Sequence, residues 1–386
     1  MSIKNILDIE IQNKVVFIRS DFNVPIDSQG KIISDIRIKL SLPTIKYALY
    51  HGAKIIIASH LGRPVEGEYN NKLSLKNIAV HLSNLLNHPV ILKKKYLDGI
   101  SFKKNEIILL ENIRFNIGEK ANDITLSKKY AALCDVFVMD AFATAHRKHA
   151  STYGIISFVQ QSCAGLLLIN ELINLKKFLY KPKKPIISII GGAKISTKFS
   201  LLNKLSKMSD KVIVGGGIAN TILATKYNIG SSLYEKNAML LAKDVMTKCK
   251  NIILPVDFRV GINFSNTSPV YIRNTNNILY NEKIMDIGDQ SIQIIINILN
   301  KASTILWNGP VGVFEFQKFC EGTKNIAKTI AKNHAFSIVG GGDTLAAIEL
   351  FNVFNNISYI STGGGSFLKF IENNTLVVIE KLKQYI

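Results

Sequence analysis

The stretch Val16-Phe17-Ile18-Arg19-Ser20-Asp21-Phe22-Asn23-Val24-Pro25 decides how the chain is read. Lys14 to Ile18 is a short β-branched and aromatic run, the pattern of a buried strand, and it stops in Arg19, Asp21 and Asn23 before Pro25 forbids further pairing. A strand that ends in polar groups presents them at a sheet edge, and in open α/β sheets ligands bind outside the carboxyl ends of the strands. Taken alone, the decapeptide reads equally well as a surface turn with a local Arg–Asp pair.

Working outward, Ala53–His60, Glu106–Arg114 and Asp135–Asp140 are further apolar runs too short for helices, with helical periodicity between them. That alternation predicts a parallel sheet. The loops after these strands share one chemistry. The first carries Arg19, Asp21, Asn23 and then Arg37; the second His60-Leu61-Gly62-Arg63; the third Glu111 to Arg114; the fourth Asp140 to His149, with His146 and Arg147. Any one arginine would pass as a solvated surface residue. Their repetition at equivalent strand ends outlines a cationic pocket for a small, multiply charged anion, since arginine offers a planar donor fork to carboxylate or phosphate.

Ala164–Leu179 is a strong helical pattern stopped by Lys181-Pro182-Lys183-Lys184-Pro185, and the domain boundary is placed there. The expected division is 1–165, an inter-domain helix and linker 166–182, and 183–370. A spacer helix and a core helix of either domain are equally economical readings of 166–182.

The second half keeps the rhythm and changes the chemistry. Pro185–Ile190 runs into Gly191-Gly192-Ala193-Lys194, Lys211–Val214 into Gly215-Gly216-Gly217, Thr304–Leu306 into Trp307-Asn308-Gly309-Pro310, Ser337–Val339 into Gly340 to Thr344, and Tyr359–Thr362 into Gly363-Gly364-Gly365. Glycine between strand and helix lets a ligand approach the backbone, where bare N–H groups favour phosphate. Tight turns also recruit glycine, but repeated clusters in one domain favour a nucleotide-sized phosphate site. Asp343 reads either as a Mg²⁺ ligand or as a helix N-cap. No G-x-G-x-x-G follows a strand and no Walker motif occurs; near Gly62 and Gly67 the Walker spacing meets Glu68 where lysine is required.

At 386 residues two domains are the default, and 47% hydrophobic with 20% charged residues is an ordinary globular composition. No stretch reaches the about 18 apolar residues of a membrane span, and Asp8 and Glu10 interrupt the first apolar segment, so no secretory leader or membrane anchor is read and a cytoplasmic location is expected. Cys134, Cys163, Cys249 and Cys320 are widely spaced and are expected to be buried thiols. The net charge of +20 would suit nucleic acid, but the lysines are scattered along helical segments, which favours a biased background composition over a nucleic-acid partner. An anion grip on one domain and a phosphate site on the other suggest phosphoryl transfer, which asks for alignment and charge neutralisation and needs no protein nucleophile. An anion-binding protein without catalysis and a basic nucleic-acid-binding protein are the competing readings.

Assembled in order, these blocks resemble the phosphoglycerate kinase family from about Asn13 to Phe370: Val16–Pro25, Ser59–Pro64, Glu111–Phe115, Gly191–Lys194, Trp307–Glu315, Gly340–Thr344 and Ser361–Gly365. The resemblance implies a monomer of two similar-sized Rossmann-like α/β domains, each a parallel sheet flanked by helices, with the tail from about 371 to 386 packing back on the first domain, the active site in the cleft between them and a hinge that closes it. It implies reversible phosphoryl transfer between 1,3-bisphosphoglycerate and ADP, giving 3-phosphoglycerate and ATP with Mg²⁺, in glycolysis. By resemblance Asp21, Phe22, Asn23, Arg37, His60, Leu61, Gly62, Arg63, Arg114 and Arg147 would hold the glycerate substrate. Arg37, Lys194, Gly364 and Gly365 would act on the transferred group. Gly192, Lys198, Gly215, Gly216, Gly217, Asn308, Pro310, Glu315, Gly341, Gly342, Asp343 and Thr344 would bind nucleotide, with Asp343 also carrying Mg²⁺. Two departures stand out: Ala143 occupies a position where the family has glycine, and Ser366-Phe367 replaces the commoner Ala-Ser, which sets a bulky ring beside the hinge and phosphate loop.

Overall fold

A computed structural model describes residues 3–103 and 106–384. By its contacts the chain divides into two units, Met1–Ile173 with Asn373–Ile386, and Asn174–Glu372. The last two residues of the tail, 385–386, lie outside the described residues.

In the first unit the β-branched runs become β1 (Val15–Arg19), β2 (Lys54–Ala58), β3 (Val90–Lys93), β4 (Ile107–Leu110), β5 (Val136–Met139) and β6 (Gln161–Ala164). They form one all-parallel sheet in the order β3-β4-β2-β1-β5-β6. The four central strands are buried along nearly their whole length, as parallel strands covered on both faces must be. The connecting helices are α1 (Ile36–Tyr50), α2 (Lys76–Leu86) and α3 (Ile124–Ala131), and β6 runs into α4 (Leu166–Tyr180). The start of α4 is fixed by Asp140, whose Oδ1 accepts from the backbone N–H of Leu167 and Leu168 at 3.0 and 3.1 Å. The division between units falls within α4.

The second unit has its own parallel sheet. Its strands are β7 (Ile186–Ile190), β8 (Lys211–Val214), β9 (Ile252–Ile253), β13 (Thr304–Asn308), β14 (Phe336–Gly340) and β15 (Tyr359–Ser361), in the order β15-β14-β13-β7-β8-β9. The helices are α5 (Phe199–Met208), α6 (Gly216–Leu223), α7 (Met239–Lys248), α8 (Asp289–Leu299), α9 (Glu321–Lys332), α10 (Gly342–Leu350) and α11 (Gly364–Asn373). A small antiparallel sheet of β10 (Asp257–Gly261), β11 (Tyr271–Asn274) and β12 (Lys283–Ile287) adds to the expected architecture. The last helix, α12 (Val377–Gln384), belongs to the first unit: it buries Val378, Ile379 and Leu382, and the Val378 N–H donates to Ala145 O at 3.2 Å.

One expectation is adjusted. Cys163, Cys249 and Cys320 are buried, but Cys134 is partly exposed. Ala143 sits in a 3₁₀ turn at negative φ, so the missing glycine costs no backbone strain. Phe367 is fully buried, its ring packed under Gly340 at the foot of the triple-glycine loop. A Cβ on Gly340 would lie 2.8 Å from Phe367 Cγ. Gly340→Ala is therefore expected to lower stability by about 1–3 kcal/mol through overpacking. A thermal melt at or above the wild-type midpoint would show that the ring has room to move.

Candidate active site

The first half-site forms where β1, β2, β4 and β5 end. Because these strands are parallel, Arg19, His60, Arg114 and the 140–149 loop emerge at one edge of the sheet. The Phe22 N–H donates to Ser59 Oγ at 2.8 Å, tying the β1 loop to the β2 loop, while the Phe22 ring is buried in the core. Asn23 Oδ1 accepts from the Gly62 N–H at 2.8 Å, and Gly62 holds a left-handed φ of 61° with Leu73 packed where a side chain would go. Leu61 is buried, its carbonyl accepting from Asn112 Nδ2 at 2.8 Å. Glu111 accepts from Ser74 Oγ and the Leu75 N–H at 2.7 and 2.8 Å, so it pins the β4 loop to the start of α2.

Five guanidinium groups belong to this edge. Arg37, in the first turn of α1, donates from Nη1 to Asp21 Oδ2 at 2.8 Å and to Asn23 O at 3.1 Å. Arg114 donates to Gly62 O at 2.6 Å, and Arg147 is half-buried. Arg63 is exposed and acts on Arg147 only through its charge. Arg19 is fully buried, its Nε donating to Ser151 Oγ at 3.0 Å and its Nη2 to His60 Nδ1 at 3.4 Å. Burial, reinforced by four surrounding arginines, pushes the His60 pKa well below its usual value, so the ring is neutral and Nδ1 accepts. Burial and then Arg147 and Arg19 push Arg114 down to about 10. Cations that depress one another in this way leave a pocket in which a multiply charged anion is the missing partner.

The second half-site lies at the corresponding edge of the other sheet, in the second unit. A cavity of ≈ 760 Å³ opens there, lined by Gly192, Gly216, Gly217, Pro310, Glu315 and Asp343 among others. Backbone crowding accounts for the glycines: a Cβ on Gly191 would lie 1.9 Å from Pro310 O, and one on Gly217 would lie 2.4 Å from Ala193 O. Gly215 caps α6 and packs against Val311, outside the cavity lining. Gly341 precedes α10 at a φ of 111°, and an ideal Cβ on Gly364, at the start of α11, would come within 3.7 Å of Gly341 Cα. Two helix N-termini, with Gly342 and Gly365 in their first turns, thus meet beside the triple-glycine loop.

The side chains around this cavity divide by role. Asn308 is buried and donates from Nδ2 to Gly340 O at 2.6 Å, while its Oδ1 accepts from Lys198 Nζ at 2.6 Å. Thr344 Oγ1 accepts from the Gly309 N–H at 2.8 Å and donates to Gly340 O at 3.1 Å, so this hydroxyl ties β13 to β14. Lys194 and Glu315 are exposed. Asp343 is not the N-cap of α10, a place taken by Gly341; it stands exposed in the first turn, with no hydrogen-bond partner for its carboxylate among the described residues. Sequence reasoning missed Glu119, Ser151 and His149 behind the first half-site, and Glu235, which accepts from Ser196 N and Oγ at 2.8 and 2.6 Å and fixes the loop after Lys194. Glu119 and Glu235 stand singly among polar neighbours, so nothing in the sequence separates them from solvated loop carboxylates.

An anion grip at one sheet edge and a glycine-lined, nucleotide-sized cavity at another are the equipment of a kinase that moves a phosphoryl group between two small ligands. The family model for phosphoglycerate kinase matches residues 6–374. A curated phosphoglycerate kinase of Buchnera aphidicola subsp. Acyrthosiphon pisum (strain Tuc7) is 55% identical over 385 residues, spanning 100% of this chain and 98% of that protein. Among solved structures, the phosphoglycerate kinase from Coxiella burnetii matches with a TM-score of 0.89 at 44% identity, over 99% of each chain. That from Pyrococcus horikoshii OT3 matches with a TM-score of 0.86 at 32% identity, over 98% of each. The chain belongs to the phosphoglycerate kinase family.

Burial pushes the Lys198 ammonium down to about 8, against the attraction of Asp343. Only the protonated form attracts phosphate, so nucleotide affinity is expected to fall about tenfold between pH 7 and pH 9, with the proton lost as pH rises through about 8. Calorimetry of Lys198→Met should give weaker binding with a flat profile over that range; a slope unchanged from wild type would assign the titration to another group.

Proposed function

We propose that the chain catalyses reversible, Mg²⁺-dependent phosphoryl transfer from 1,3-bisphosphoglycerate to ADP, giving 3-phosphoglycerate and ATP, as a step of glycolysis. The first unit takes the glycerate compound through Asp21, Asn23, His60, Arg63, Arg114 and Arg147, and the second takes the nucleotide in the glycine-lined cavity. The observation that carries this reading is the set of mutually repelling guanidinium groups at the first sheet edge, of which Arg37 is paired with the buried Asp21. Both half-sites come from one chain, which supports a monomer. No helix among the described residues is long and apolar enough to cross a membrane, and the reading places the enzyme in the cytoplasm.

The acceptor in either direction is an oxyanion, so no side-chain nucleophile is required. What the residues supply is aim and charge. Arg37 is held by Asp21 and Asn23 through Nη1, which leaves its remaining donors for the moving group. Lys194, exposed after Gly191-Gly192, is the second cation for that group, and the N–H groups at the start of α11 face charge developing on the phosphoryl oxygens. Lys198 holds the nucleotide phosphates from the floor of the glycine loop. Direct in-line transfer needs the two ligands brought into contact, which makes hinge closure and water exclusion part of the mechanism.

Asp343 is the residue that would hold Mg²⁺, and the fit is good: one unengaged carboxylate beside a phosphate cavity suits an ion that keeps its waters and takes further ligands from phosphate. When bound, the ion would neutralise charge on the nucleotide phosphates. The direct test is a coupled assay for ATP formation from 1,3-bisphosphoglycerate and ADP, with and without Mg²⁺. Because Arg37 serves the group in flight, Arg37→Ala is expected to lower kcat by about 10³–10⁵, or about 4–7 kcal/mol, with a much smaller change in KM. A raised KM with turnover intact would make Arg37 a tether instead.

A further inference from the structure

Behind the first half-site lies a carboxylate that no ligand could reach. Glu119 is fully buried, yet its carboxylate is the meeting point of two segments that carry the pocket's cations. Ser151 Oγ donates to Glu119 Oε1 at 2.6 Å and in turn accepts from Arg19 Nε at 3.0 Å, so the hydroxyl is an obligatory bridge from the carboxylate to the end of β1. The Ser151 N–H donates to Oε2 at 3.2 Å and the Ala150 N–H to Glu119 O at 2.9 Å, which anchors the loop that bears Arg147. Thr152 Oγ1, next in that loop, donates to Arg147 O at 3.2 Å. Arg19 Nη2 also donates to His60 Nδ1 at 3.4 Å, and its charge acts on Asp21, the partner of Arg37. A single acid thus braces both the end of β1 and the loop that bears Arg147.

We propose that Glu119 is a positioning residue of the anion grip: through Ser151 it locks Arg19 and the Arg147 loop together, setting the spacing of the cations that take the phosphoglycerate. The proposal rests on the functional reading above for the identity of that anion. It also makes a prediction of sign. If Glu119 acted only as a nearby negative charge, neutralising it would make the pocket more positive and tighten anion binding. If it positions, neutralising it loosens two walls of the pocket and weakens binding, because hydrogen bonds to a buried charge fix geometry that neutral contacts do not.

The experiment is calorimetric titration of the full chain with 3-phosphoglycerate and, separately, with Mg·ADP, for wild type, Glu119→Gln and Ser151→Ala, after circular dichroism has shown each variant folded. The expected result is weaker 3-phosphoglycerate binding by about tenfold or more in Glu119→Gln and a smaller loss in the same direction in Ser151→Ala, with Mg·ADP affinity unmoved in both. Ser151→Ala keeps the Glu119 and Arg19 charges and carries the decision if Glu119→Gln does not fold. Unchanged or tighter 3-phosphoglycerate binding in the folded variants overturns the proposal. Wild-type protein that ignores 3-phosphoglycerate while binding Mg·ADP overturns instead the reading on which it rests.

Discussion

A guanidinium group taken fully out of water at the end of a strand is the constraint around which the first unit is arranged. Arg19 follows directly from the apolar run of β1, so its side chain is inside the protein whether or not a partner waits there. An unpaired buried charge is strongly destabilising, and the surrounding sequence answers it with Ser151, Glu119 and the Ser20 carbonyl. His60 is then held neutral by the same positive surroundings, Asp21 is left for Arg37, and the outer arginines face the solvent edge with too few carboxylates among them. The binding pocket is the outward end of a charge arrangement whose inward end is structural.

The two units offer an anion different physics. The first uses side chains, whose forks can be set at several angles but must each be braced, and the bracing accounts for Glu111, Asn112 and Glu119. The second uses main chain, so its requirement is the absence of side chains. Gly191, Gly217 and Gly340 sit where a single methyl group would strike Pro310, Ala193 or Phe367. Backbone groups are rigid once packed and suit a part common to many ligands, such as a row of phosphates, whereas braced arginines suit one particular small anion.

The parallel strands and their order of function were legible because buried β-branched runs ending in repeated charge or repeated glycine are dense signals. What stayed hidden had sparse signals. β3 offers only the three-residue apolar run Val90-Ile91-Leu92, β6 opens on Gln161 and Ser162, and β10 carries Asp257 and Arg259 within it. The N-cap reading of Asp343 failed because Gly341 adopts a backbone that only glycine takes readily, moving the helix start two residues upstream. Phe367 reads as an intrusion when only its neighbours in sequence are known; in space it is the floor on which Gly340 rests. Glu119 is the clearest case, since a lone glutamate between Gly118 and Lys120 has every local mark of a solvated turn, and only the return of residues 150 and 151 buries it.

The return of α12 to the first unit has a consequence for biogenesis. Residues 174–372 form an uninterrupted stretch with its own sheet, while the first unit is assembled from segments on either side of it. On the ribosome, therefore, the nucleotide-type unit can finish folding from contiguous chain, but the earlier-made one must wait for Val378, Ile379 and Leu382 to emerge before its surface around Ala145 is covered. The first unit is therefore closed by a segment made after the whole of the second, a late clasp on an early-made sheet.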